Sequence, residues 1–380
     1  MKQDNDATYT EERGKFERLL RRTAIGCLRL VAAAKKRNRL PVNLHKIRKV
    51  LVIRQHNQFG DVLCTVPLLR ALKKKLSLDV LDVVVSPQNK YALDGCPYIS
   101  KLIVYDKLAF YRNPVTFFKF ISSIRQNYDV VLVPSNVSLS LTNDIIALFS
   151  KGRWKIGPAS LETKENSTAF VYDIAVDLRW HPHLKQSYRN MLVARPLGIE
   201  PEDDTGELEY YPDRQSEEIV QALITRTGSV QTRIGLHVGA GKPPNRWNVN
   251  NFINLAKKLQ ADLGALIYLT EGSFDHEVVN EFVLNAEFPF VRIRNHSIKR
   301  VSAFLKAMNL VVTNDTGIMH LAAAVGTPTL SLFGPTDPLQ WAPIGKKHKF
   351  ILGSRQDVNS ISVERVYSTL LNMIRPVEAP

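Results

Sequence analysis

Three short stretches of this 380-residue chain gather residue types that do chemistry. The first is Arg54-Gln55-His56-Asn57-Gln58-Phe59-Gly60-Asp61, where Gly60 permits a tight turn and Asp61 falls at the start of a helical pattern. A carboxylate there has two readings. It can cap the helix and meet its positive end; held rigidly at the mouth of a cleft, it can instead accept a proton from an incoming hydroxyl. The second stretch is His237-Val238-Gly239-Ala240-Gly241-Lys242-Pro243-Pro244-Asn245-Arg246-Trp247. Its glycines let backbone N–H groups approach an anion, and Lys242 and Arg246 supply charge. Pro243 stands where a Walker A loop needs Ser or Thr, and Pro244 replaces the third glycine of a dinucleotide loop, so neither of those motifs is present.

The third stretch is Thr313-Asn314-Asp315-Thr316-Gly317-Ile318-Met319-His320, followed by a strand and Phe333-Gly334-Pro335-Thr336-Asp337-Pro338. Asp315, Thr316 and Gly317 make a strand-to-helix turn whose free N–H groups point outward beside a hydroxyl. Thr316 and His320, four residues apart, share a helix face. Taken alone, Asp315 or Thr316 is a cap and His320 a satisfied core residue. Beside a second loop carrying glycines and cations, the turn reads better as half of a diphosphate site.

The elements that hold these stretches follow from apolar patterning. Runs at 49–53, 82–86, 102–105 and 129–133 are continuous, β-branched and of strand length, as in parallel strands covered on both faces. Between the first two, Val62, Val66, Leu69, Leu72 and Leu76 recur at helical spacing. A second series of strands is predicted at 234–238, 265–269, 290–293, 310–313 and 329–333. Two α/β units thus follow one another, with a junction near 205–230. A ligand belongs in the cleft between them, at the carboxyl ends of the strands. An amphipathic helix is predicted over 363–374.

Composition agrees with a folded body: 44% hydrophobic and 23% charged residues exclude a fibre or a disordered tail. The apolar runs at 23–34 and 321–332 fall short of the ~20 residues that a bilayer span needs. Cys27, Cys64 and Cys96 form no C-x-x-C pair, which fits a reducing compartment, and the acidic, polar start lacks the pattern of a secretory signal. A place inside the cell is expected. The net charge of +15 is concentrated: residues 13–49 hold thirteen Lys or Arg against one acid, Glu17, a net +12. Apolar residues interleave with these cations, so the segment reads as a basic amphipathic helix on an anionic membrane surface. The competing readings are a solvated helix packed on the body and a nucleic-acid contact. No His, Cys, Asp or Glu cluster shows metal-ligand spacing.

In three ordered motifs the chain resembles glycosyltransferase family 9, the bacterial heptosyltransferases of lipopolysaccharide core synthesis. These are F-G-D-V-L-C-T-V-P-L-L-R-A-L-K at 59–73, G-A-G-K-P-P-N-R-W-N at 239–248, and the long T-N-D-T-G-I-M-H-L-A-A-A-V-G-T-P-T-L-S-L-F-G-P-T-D-P at 313–338. The match spans about residues 49–351. It implies a GT-B architecture: two Rossmann-like domains facing a central cleft, here with an N-terminal basic helix added. On that plan, 1–46 is the basic extension, 47–210 the acceptor domain, 211–355 the nucleotide-sugar donor domain and 356–380 a C-terminal helix and tail.

The resemblance also implies an inverting, metal-independent transfer without a cofactor. Its donor would be a nucleotide sugar, ADP-heptose above all, and its acceptor a lipid-anchored glycan such as lipid A-core at the cytoplasmic face of the inner membrane. Asp61 becomes the general base, with Arg54 and Gly60 on the acceptor side. Gly239, Ala240, Gly241, Lys242, Arg246, Asp315, Thr316, Gly317 and His320 fall to the donor, and the ribose-contacting acid falls within Gly272-Ser273-Phe274-Asp275-His276-Glu277, at Glu277 ahead of its neighbours. The chain departs from the family pattern in a 54–61 loop one residue longer and in Asn248, which follows the Trp where the family usually has Pro. Two rival readings are a GT-B-shaped nucleotide-sugar epimerase, which needs no acceptor, and a non-catalytic membrane adaptor using the basic arm alone.

Overall fold

The computed structural model describes residues 23, 25–33, 42–55, 58–135, 137–179, 183–226, 232–272 and 274–374. Most of the basic arm, together with His56, Asn57 and Ser273, lies outside the described residues. Two parallel sheets form the frame. The first contains β1 (Lys49–Ile53), β2 (Val80–Val85), β3 (Lys101–Val104), β4 (Tyr128–Leu132), β5 (Gly152–Leu161), β6 (Lys164–Glu165) and β7 (Ile174–Leu178). Its order is β3-β2-β1-β4-β5-β6, with β7 also on β5, and only the β5–β6 pair is antiparallel. The second contains β8 (Arg233–His237), β9 (Leu266–Thr270), β10 (Phe290–Ile293), β11 (Leu310–Asn314), β12 (Thr329–Phe333) and β13 (His348–Leu352), in the order β10-β9-β8-β11-β12-β13. In each, the strand order reverses beside the first strand, so the crevice for a ligand opens at β1/β4 and at β8/β11.

The predicted strands are present within one or two residues, because β-branched runs buried on both faces have no other low-energy use. The helical pattern of 62–76 divides into Phe59–Leu63 and Val66–Leu76. Pro67 lies in the first turn of the second helix, where its missing N–H costs nothing, and it prevents the first from continuing. The helix Val363–Ile374 forms as expected and packs on Val249–Leu263 of the second unit, with Val366 and Leu370 in the core of that unit. No helix among the described residues is long and apolar enough to cross a membrane.

The two units are joined by more than the chain. One apolar cluster runs from Val50 and Val83 of the first sheet through Leu63, Leu69 and Leu72 to Phe304, Val311 and Leu321 of the second. Arg70, buried, reaches the connecting segment: Nε donates to Asp204 at 2.7 Å, Nη1 pairs with Glu209 at 2.9 Å, and Nη2 donates to the Glu207 carbonyl at 2.9 Å. Lys299 crosses from the second unit to donate to the Asp94 carbonyl at 2.6 Å and to the Tyr211 carbonyl at 2.8 Å. These contacts fix the orientation of one sheet to the other.

Candidate active site

Helix Phe59–Leu63 of the first unit packs directly on helix Gly317–Ala324 of the second. The backbones meet at glycines: a Cβ on Gly317 would lie 3.8 Å from the Gly60 nitrogen. Asp61, Asp315 and His320 are thereby gathered at one seam. Gln58 occupies the N-cap position of the first helix, and Asp61 lies inside its first turn, so Asp61 is not the cap. Burial raises its carboxyl from 3.8 to about 6; the nearby Arg54 charge opposes that shift and the Asp315 charge adds to it. A carboxyl poised near neutrality is what a general base requires. Arg54 is fully buried, donating from Nε to Thr65 Oγ1 at 3.1 Å and from Nη2 to the Asp61 carbonyl at 3.3 Å, so it braces the turn that carries Asp61.

On the facing side, Thr316 is the cap: its hydroxyl accepts from the Ile318 N–H at 3.2 Å. His320 is buried, with its ring 6.1 Å from that of Trp341, and its Nδ1 has no hydrogen-bond partner among the described residues. Burial, and then the Lys185 charge, lower its pKa to about 4, so the ring is neutral at pH 7. Asp315 is half-buried, and desolvation pushes its carboxyl upward, with the Thr336 hydrogen bond and the Lys242 charge pulling the other way. Asn245 donates from Nδ2 to both Asp315 Oδ2 (3.3 Å) and Thr336 Oγ1 (3.2 Å). The 239–247 loop and the 313–317 turn are therefore one unit.

Asn314 makes that unit rigid. Fully buried at the end of β11, it donates from Nδ2 to the carbonyls of Val238 (2.9 Å) and Gly239 (3.1 Å), and its Oδ1 accepts from the Trp247 N–H at 3.0 Å. Three of the amide's hydrogen-bonding positions are filled from both ends of the loop. In the sequence only its place gave a signal, an amide closing an apolar strand. Asn245, Thr336 and Lys185 were likewise legible only as parts of longer motifs or not at all. Lys185 bridges the units, donating to the carbonyls of Pro338 and Ala342 at 2.9 Å each.

The glycines of the loop have separate reasons. A Cβ on Gly239 would sit 2.1 Å from Asp275 Oδ1, so its space is taken by a protein carboxylate. Asp275 is buried, accepts from the Gly272 N–H at 3.0 Å and lies 3.7 Å from Nε2 of buried His237. Gly241 has open space around it, and residues 241–244, Lys242 included, are exposed. Arg246, half-buried, donates from Nε to the Ala240 carbonyl at 2.9 Å. Glu277, exposed, lines an open groove of about 290 Å³ with Arg246 and Trp247. Among the described residues no group of three or more His, Cys, Asp or Glu is arranged to hold a metal ion.

The pattern of glycosyltransferase family 9 (heptosyltransferase) matches residues 117–369, two thirds of the chain. The chain belongs to glycosyltransferase family 9. It is a glycosyltransferase, and its two facing Rossmann-like units are the GT-B architecture. Among its curated relatives is a lipooligosaccharide heptosyltransferase 2 from Haemophilus influenzae, 26% identical over 77% of this chain and 85% of the relative. The fold is shared with a family 9 glycosyl transferase from Veillonella parvula (TM-score 0.76, 18% identity, 88% of this chain and 99% of that one). It is shared also with the Escherichia coli ADP-heptose lps heptosyltransferase II (TM-score 0.69, 21% identity, 87% of this chain and all of that one).

Proposed function

We propose that this glycosyltransferase moves a heptosyl group from an ADP-linked donor to a lipid-linked glycan of the lipopolysaccharide-core type, with inversion at the transferred carbon. The names of its relatives support the sugar and the acceptor class. The observation that carries the mechanism is the seam where Asp61, with its carboxyl raised to about 6, faces the 315–317 turn across the packed glycines.

In this reading, residues 47–210 form the acceptor domain and 211–355 the donor domain. An acceptor hydroxyl gives its proton to Asp61 while its oxygen bonds to the anomeric carbon. The bond from that carbon to the diphosphate breaks, and ADP leaves with the electron pair. Negative charge grows on the diphosphate, so the catalytic contribution of Lys242, Arg246 and the N–H groups at Gly317 rises along the reaction. Glu277, on the rim of the groove it shares with Arg246, is placed to meet the donor ribose. Charge neutralisation by these groups makes a metal unnecessary, and the basic arm at 13–49 holds the enzyme on the inner face of the cytoplasmic membrane.

Mass-spectrometric product analysis with ADP-heptose, GDP- and UDP-sugars, each with and without a core-oligosaccharide acceptor, tests the reading. Acceptor-dependent transfer from ADP-heptose that survives EDTA is expected. Release of a modified sugar without acceptor would establish an epimerase instead.

A further inference from the structure

Helices Lys107–Arg112 and Pro114–Ile124 follow β3 as a hairpin that leaves more apolar surface in water than its packing requires. From inside, the pair is held by aromatic rings: Phe110 lies 5.4 Å from Tyr105, 5.6 Å from Phe117 and 5.2 Å from Phe120. The corner is also fixed. Asn113 caps the second helix by accepting from the Val115 N–H at 3.0 Å, Pro114 opens that helix, and Thr116 Oγ1 donates to the Ala109 carbonyl at 3.0 Å. Each helix nonetheless turns an i,i+3 apolar pair outward. Leu108 and Tyr111 are 68% and 91% exposed, Val115 and Phe118 55% and 67%. Single exposed apolar residues need no explanation, but four on one rigid hairpin indicate a surface meant to be covered.

Charge identifies what covers it. From residue 107 to 128 the chain has no acid and four cations, Lys107, Arg112, Lys119 and Arg125, all exposed. A second copy of the chain, placed by a two-fold axis, would bring these cations against each other. Apolar and aromatic tips rimmed by cations match a bilayer with anionic headgroups, where rings settle at the headgroup level and cations stay in the water layer. The position suits this too. The hairpin leaves the carboxyl end of β3, on the sheet edge where β1 delivers the Asp61 loop, two strand spacings or roughly 10 Å across. Residues 25–33 lie in the same layer: Leu28 and Ala32 join the cluster of Phe110, Phe120 and Ile124, while Leu30 points outward, 75% exposed.

We propose that the 107–118 hairpin is a membrane foot, inserting Leu108, Tyr111, Val115 and Phe118 among the headgroups of an anionic bilayer and seating the carboxyl-end side of the first sheet on the lipid surface. This goes beyond the transferase reading and does not depend on it, since transfer to a water-soluble acceptor needs no foot. The test is co-sedimentation of the full chain with phosphatidylglycerol-rich and with pure phosphatidylcholine vesicles. Tyr111→Ser with Phe118→Ser, and separately Arg112→Glu with Lys119→Glu, should each lower partition onto the anionic vesicles by about tenfold or more. The melting temperature and transfer to a soluble acceptor should stay at the wild-type level. Phe118→Trp should shift its emission to the blue on adding anionic vesicles, and this variant remains informative if a double variant folds poorly. Wild-type partition by the Ser pair, an unshifted emission from the Phe118→Trp variant, or loss of a lipid-free dimer in the Ser pair would each overturn the proposal.

Discussion

Gly60 and His320 touch across the two units: a methyl group on Gly60 would stand 2.7 Å from His320 Cδ2. Neither side can easily give way, because Gly60 is inside a short helix and the imidazole is buried against Trp341. Gly60→Ala should therefore push the Asp61 helix off the 315–317 turn. A displacement well under 1 Å between reacting groups is enough to slow turnover, here by about tenfold or more. The melting temperature should fall with it. Adding His320→Ala should restore part of that temperature by making room, so a double-mutant cycle in stability should show a coupling on the order of 1 kcal/mol. Strict additivity of the two changes would mean that the contact does not set the spacing.

The Asp61 carboxyl, raised by burial to about 6, makes a paired prediction for activity and stability. If Asp61 is the base it must be ionised, so kcat/KM should rise through about pH 6 and then level. For folding the sign is opposite. Between 3.8 and about 6 the folded protein keeps a proton that the unfolded chain has lost, so stability falls as pH rises through that window and stays lower above it. Asp61→Asn removes this penalty. It should lose ~100-fold or more in turnover yet melt no lower than wild type at pH 7 in a thermal scan. Near-normal turnover would remove Asp61 from the role of base.

What the sequence disclosed and what it concealed divide along a physical line. Strands such as Val50 to Ile53 and Leu310 to Val312 were legible because burial on both faces demands an unbroken apolar run. Thr316 and Gly317 were legible as a helix start. The hairpin at 107–124 was not recognised, since its outward residues, Tyr111 and Phe118 among them, blur the helical period that marks a one-sided helix. Asp275 lay in the 272–277 segment read for a ribose-contacting acid, but its contact with the space above Gly239 is distant in sequence and was hidden. The Lys185 bridge to Pro338 and Ala342 is equally non-local.

Asn314 is expected to be the most sensitive of these concealed residues. Asn314→Ala would leave the carbonyls of Val238 and Gly239 and the Trp247 N–H without their present partner inside the protein. Each unsatisfied buried group costs roughly 1 to 3 kcal/mol. Asn314→Asp keeps an acceptor for Trp247 but sets a charge against two carbonyl oxygens, so it should not rescue. Both variants should unfold at lower denaturant concentration and bind ADP more weakly than wild type by calorimetry. Full stability in either would show that the two loops are held together by other contacts.

Arg246 separates a structural from a chemical role most cleanly. Its Nε is already committed to the Ala240 carbonyl, a bond that shapes the loop, and its guanidinium carries two further nitrogens on a residue that lines the groove with Glu277. If those nitrogens meet the donor diphosphate, removing them takes positive charge from the place where the leaving group becomes more negative. Arg246→Ala should then lower turnover as well as donor affinity, since the interaction strengthens in the transition state. Lysine carries the charge without the planar fork and cannot both bond Ala240 and grip two oxygens, so Arg246→Lys should recover only part of the rate. A residue that only shapes the loop behaves differently. Its loss would lower the melting temperature of the free protein and leave kinetics per folded molecule unchanged. Melting temperature without ligand and steady-state rates with a saturating acceptor, measured on the same preparations, decide between the two. Intact stability with slower transfer places the diphosphate at Arg246, and lost stability with intact kinetics removes it from there.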